Sequence, residues 1–79
     1  MSKEMKFKTI IAQYCEVLPE KMKGDLRFRE DLGFSSLDFM SFLGELEDEF
    51  DVELEPEQAT SISTVGEALE LLNELDMAS

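Results

Sequence analysis

Ser35 and Ser36 are adjacent hydroxyls, followed by Leu37 and Asp38 where an apolar-periodic segment begins. A serine at a helix start can cap free amides with its oxygen. It can also carry an anionic group beside the unpaired N–H groups and the positive end of the helix dipole. Ser35-x-x-Asp38 has the spacing of a capping box, which makes Ser35 the cap and Ser36 the first helical residue, its hydroxyl toward solvent. Either both serines only cap, or Ser36 bears a charged group. Residue type alone leaves both readings open.

The rest of the sequence offers little independent chemistry. There is no His, so neither a Ser-His-Asp nor a Cys-His constellation can be assembled, and a zinc site lacks its usual nitrogen ligand. No GxGxxG or GxxxxGK[ST] loop is present to cradle phosphates. Carboxylates alone make an acid–base pair only inside a dry cleft, which a chain of 79 residues seldom encloses. The one cysteine, Cys15, has no partner for an internal disulfide and lies on the flank of an apolar stripe, where packing is its expected role. An enzyme acting alone is therefore not expected. A calcium sensor is disfavoured too, since no segment supplies an EF-hand loop.

Charge narrows the partners. The net charge is −12, and all seven bases lie in the first 29 residues, which hold only four acids. The remaining 50 residues carry fifteen acids and no base. That distribution repels nucleic acid and anionic lipid and attracts basic protein patches. No apolar run reaches the roughly 18 residues of a membrane span, and the start shows no secretory pattern. The expectation is one domain over residues 1–79, monomeric, in the reducing cytoplasm, with neither nucleic acid nor membrane as partner.

The elements that must position Ser36 are helical. Phe7, Ile10, Ile11, Tyr14 and Leu18 form one apolar stripe, predicting a helix from about Lys3 to Leu18, capped by Ser2 and ended by Pro19. Phe39, Phe42, Leu43, Leu46 and Phe50 form a second stripe. A third, Val65, Ala68, Leu69, Leu72 and Leu75, follows the capping box Thr64-x-x-Glu67. Pro56 suits the first turn of a short helix through Ala59 and Ile62. The fold class is all-α: a small four-helix bundle of three main helices plus a short third one. Residues 19–35 make a long loop between helices 1 and 2, with Leu26, Phe28 and Leu32 as anchors and Gly24 and Gly33 permitting turns.

On a wheel at 100° per residue, Leu37 and Met40 fall outside the core stripe of the second helix, among Asp38, Ser41, Glu47 and Asp48. One exposed Leu needs no explanation, and the long loop is able to cover both. The sharper alternative is a docking face, apolar anchors ringed by negative charge for a basic partner. Gly44, mid-helix, either admits the close approach of a partner or is simply tolerated.

The run Asp31-Leu32-Gly33-Phe34-Ser35-Ser36-Leu37-Asp38, with Leu46-Glu47-Asp48-Glu49-Phe50 behind it, resembles the signature of the acyl carrier protein family around its modified serine. The likeness extends to chain length, acidity, the crossover loop, Pro56 and the opening of the last helix at residues 62–68. The resemblance implies that Ser36 receives 4′-phosphopantetheine from coenzyme A through a separate phosphopantetheinyl transferase. It implies a role as carrier, not enzyme, with acyl groups held as thioesters on the arm's thiol and presented to acyl transferases, synthases or ligases with basic docking patches. It further implies an acyl-chain lining between the second and third helices near Phe39, Leu46, Ile62 and Leu69. The alternative is an unmodified, carrier-like acidic module that binds basic patches.

Departures from the family pattern are specific. Ser35 stands where the family usually has Asp, Ser41 where it often has Glu, and Gly44 where it has a hydrophobe, while Phe39 is bulkier than usual. They remove two charges and an apolar anchor from the docking face. A specialised carrier for polyketide or unusual-lipid synthesis fits them better than the housekeeping carrier of fatty-acid synthesis. The serine is not preceded by the Gly-Gly-His or Gly-Gly-Asp of peptidyl carriers.

Overall fold

The computed structural model describes residues 2–78, with side chains through residue 75. Four α-helices follow in order: α1 (Lys3–Ala12), α2 (Ser36–Phe50), α3 (Pro56–Ser61) and α4 (Val65–Ala78). A 3₁₀ turn, Pro19–Lys21, lies inside the long connection between α1 and α2. The described residues contain no strand beyond one isolated bridge, Arg27 with Thr64.

Each helix start obeys its local signal. The Ser2 side chain accepts from the Met5 N–H, Pro56 opens α3, and the Thr64–Glu67 box is closed in both directions. The C-terminus of α2 is set by Asp51 in the left-handed region, φ 53°, while the Glu47 carboxylate accepts the Leu54 N–H at 2.9 Å.

The first helix departs from expectation. It stops at Ala12 rather than running to Leu18. Its last turn tightens into three-residue bonds, Gln13 N–H to the Ile10 carbonyl and Tyr14 N–H to that of Ile11. Tyr14 is then drawn into tertiary contacts: its ring sits 5.6 Å from Phe34 and its hydroxyl donates to Glu45 on α2. Leu18, placed on the apolar stripe by spacing, is 52% exposed, and Pro19 opens the 3₁₀ turn instead of ending α1. Aromatic packing here outweighs a propensity worth tenths of a kcal/mol per residue.

The core joins the helices to the loop. Phe7, Ile10 and Ile11 of α1, Phe42 and Leu46 of α2, and Val65, Ala68 and Leu72 of α4 are buried together with Met22, Phe28, Leu32 and Phe34 from the connection. Phe28 is its hub, with ring centroids 5.2 Å from Phe34 and 5.3 Å from both Phe39 and Phe42. Phe28 and Leu32 anchor the loop as expected, and Leu26 is half-buried. Met22 and Phe34 are additional anchors.

Backbone bonds clasp this loop to the start of α4. Phe28 N–H bonds to the Ser63 carbonyl, Val65 N–H to that of Leu26, and Gly66 N–H to that of Gly24 at 2.8 Å. Gly33 turns the chain at φ 74°. Gly24 lies in the turn closed by the Leu26 N–H to the Lys23 carbonyl, as expected, and it also packs against Gly66, where an added Cβ would stand 3.0 Å from the Gly24 carbonyl oxygen.

Candidate functional site

The entrance to α2 is built by reciprocal capping. Ser35 Oγ accepts the Asp38 N–H at 3.1 Å, and Asp38 Oδ2 accepts the Ser35 N–H at 3.2 Å. Of the four amides that a helix start leaves without an intrahelical partner, those two are thereby satisfied. The other two belong to Ser36 and Leu37. Ser36 is exposed at the first helical position.

Among the described residues, one side chain hydrogen-bonds to Ser36. Nη2 of Arg29 donates to Ser36 Oγ at 3.2 Å. The nearby carboxylates are occupied otherwise: Glu30 pairs with Nη1 of Arg27, Asp31 accepts the Arg27 N–H, and Asp38 belongs to the capping box. Among the described residues Arg29 makes no ion pair. Sequence reasoning missed it, although its place among the last bases before an uninterrupted acidic stretch was a visible signal.

The residues marked as a docking face separate into two groups. Leu37 and Met40 are 77% and 69% exposed, and Ser41 and Asp48 are exposed beside them. Asp38 and Glu47 are half-buried, the first engaged in the cap and the second holding the turn after α2. The loop therefore does not cover the two hydrophobes. Beyond its own helix backbone, a Cβ added at Gly44 would meet nothing within 4 Å, so no contact among the described residues requires a glycine there.

A cavity of about 440 Å³ opens between the loop, α2 and α3. Its apolar wall includes Phe28, Phe39, Met40, Leu43, Ala59 and Ile62, and Arg29 stands on its rim as well as on Ser36. Of the residues proposed as an acyl-chain lining, Phe39 and Ile62 face this space. Leu46 is instead in the closed core and Leu69 packs against that core.

Two titrations mark the scaffold around this site. Hydrogen bonding to Glu45, then burial and the charges of Glu45 and Asp38, push the Tyr14 hydroxyl up to about 12. The N–H groups of Ser63 and Thr64 hold the Glu67 carboxyl below its ordinary value. No cluster of three or more potential metal ligands occurs among the described residues, and none of their helices is long and apolar enough to cross a membrane.

With this geometry in view, the relatives are informative. Residues 6–72 match the family model described as "Phosphopantetheine attachment site". The chain is 38% identical over 65 residues to the acyl carrier protein of Sulfurovum sp. (strain NBC37-1), covering 82% of this chain and 87% of that one. It superposes with a TM-score of 0.79 on the acyl carrier protein of Enterococcus faecalis, at 32% identity and 90% coverage of both chains. A protein of Mycobacterium tuberculosis described as an acyl carrier protein gives the same TM-score at 29% identity, covering 87% of this chain and 92% of that one.

Proposed function

The chain belongs to the phosphopantetheine attachment-site family of acyl carrier proteins, and from that premise we propose that Ser36 is the residue on which the arm is carried. The protein is a carrier and not an enzyme, so its residues attach, orient and present. When bound, 4′-phosphopantetheine supplies the thiol that holds acyl groups as thioesters.

The observation that carries the assignment is the placement of Ser36 Oγ: exposed, at the first position of α2, beside a guanidinium, with the Ser36 and Leu37 amides turned toward the same end of the helix. These residues fit a phosphodiester, because a cationic donor and a helix start both favour an anion there. Ser35 keeps the helix entrance fixed through its cap while leaving the neighbouring hydroxyl outside that cap and exposed to a transferase.

Carriers of this family work with a phosphopantetheinyl transferase and with synthases. On this chain the proposed docking face is the exposed surface of α2, with Leu37 and Met40 as apolar anchors and Asp38, Ser41, Glu47 and Asp48 around them. A basic patch on the partner suits it, since the chain beyond Arg29 has no base. Phe39 and Ile62, on the wall of the cavity beside Ser36, are proposed to shelter part of the acyl chain, with Leu46 and Leu69 backing them from the core. The remaining proposals are one carrier domain over residues 1–79, a monomeric cytoplasmic protein, and cargo from polyketide or unusual-lipid synthesis. The last is supported by Ser35, Ser41 and Gly44 in place of the usual residues.

Incubation with coenzyme A, Mg²⁺ and a broad-specificity transferase, followed by intact-mass measurement, tests the central point. The expected result is one added phosphopantetheine on the native chain and none on Ser36→Ala. An unmodified native chain with several transferases overturns the assignment and favours the acidic-module alternative.

A further inference from the structure

We infer that Arg29 is the counter-ion of the phosphodiester formed on Ser36, fixing the root of the arm at the rim of the cavity. The inference rests on Ser36 as the attachment point and concerns a residue that the family signature, which begins at Asp31, does not include. Its basis is the 3.2 Å hydrogen bond from Nη2 of Arg29 to Ser36 Oγ. Once that oxygen is esterified to phosphorus, the two non-bridging oxygens lie about 2.5 Å from it, within the span of a guanidinium fork.

Three features make Arg29 available for this. It is exposed and makes no ion pair among the described residues. The two carboxylates that follow it, Glu30 and Asp31, and the one that follows Ser36 on the helix, Asp38, are each engaged by another donor. Its own cationic neighbour, Arg27, is already neutralised by Glu30 at 2.5 Å. A phosphodiester at Ser36 adds negative charge to a molecule already at −12, where like charges repel and salt screens them over about 8–10 Å. The Arg29 guanidinium opposes that addition locally, and because it also stands on the cavity rim the paired phosphodiester is held beside the apolar wall formed by Phe39 and Met40.

A four-way comparison of melting temperature reads this directly: native chain and Arg29→Gln, each before and after loading, at low and high salt. Loading is confirmed by intact mass and by its loss in Ser36→Ala. At low salt the Arg29→Gln chain is expected to lose about 2–4 °C more on loading than the native chain does, an exposed ion pair's worth in a domain of this size. The excess disappears at high salt. The ³¹P resonance of the phosphodiester is expected to differ between the two loaded chains at low salt and to converge with added salt.

If Arg29→Gln changes the melting temperature equally before and after loading and leaves the ³¹P resonance unmoved, Arg29 merely hydrogen-bonds the hydroxyl and the inference falls while Ser36 stands. If no mass is gained, or if it is gained on Ser36→Ala, the attachment point itself falls and the inference with it.

Discussion

The start of α2 and residues 13–34 meet at Ser36, yet they are held by different kinds of force. The α2 entrance is local: Ser35 and Asp38, three residues apart, satisfy each other's amides. The connection is nonlocal. Phe28 is buried among rings from α2 and the loop, and Gly24, Leu26 and Phe28 bond across to residues 63–66. The serine's orientation is thus written within a few residues. The guanidinium and cavity wall beside it depend on chain segments some forty residues away.

The most severe way to break this contrast is Phe28→Ala. Truncating the hub ring is expected to cost about 3–5 kcal/mol, as for other buried Phe positions, measured by urea unfolding. A cost under about 1 kcal/mol would mean the loop is held locally after all. Next comes Gly66→Ala, whose Cβ would crowd the Gly24 carbonyl oxygen at 3.0 Å. Overpacking of this kind is expected to destabilise by about 1–3 kcal/mol. Gly44→Ala on α2, where an added Cβ meets no described atom within 4 Å beyond its own helix backbone, should instead stabilise by about 1 kcal/mol. Opposite signs at two helical glycines would sharpen the distinction between a position fixed by tertiary contact and one that is not.

Ser35→Ala removes only the local cap. Its expected cost is about 1 kcal/mol, and loading at Ser36 should persist because the hydroxyl itself is untouched. A pH test follows from Tyr14, which links the end of α1 to α2. Its folded pKa, about 12, lies above the ordinary 10.0. The associated stability is therefore fully present below about pH 10 and lost as pH rises through 12. The advantage of the native chain over Tyr14→Phe should shrink across that interval. Glu67 supplies the smallest and opposite effect, since its folded pKa is depressed. Its contribution is present above the ordinary carboxylate value and lost as pH falls, so acid unfolding curves of Glu67→Gln should be flatter on the acid side.

The same contrast explains what the sequence revealed. Helix starts were legible because Ser2, Ser35 and Thr64 accept from amides within a turn of themselves, and because Pro56 has a fixed φ and no N–H to satisfy. The stripes of α2 and α4 were legible because burial follows the helical period. The end of α1 was not, because Tyr14 leaves the helix for partners at positions 34 and 45. Gly24 was legible as a turn residue, but the close approach that leaves no room for a Cβ at Gly66 was not, since no spacing rule encodes it. Ser36 was identifiable from its motif and its place beside the cap. Arg29 was not, since its role depends on how the loop folds back toward α2.

The contact between Tyr14 and Glu45 carries one more consequence. The chain has a single tyrosine and no tryptophan, so its intrinsic fluorescence comes from one phenol. Hydrogen-bonded to a carboxylate, that phenol can hand over its proton on excitation and emit weakly. Separation of α1 from α2 should therefore brighten the protein, giving this junction an optical signal that requires no added dye.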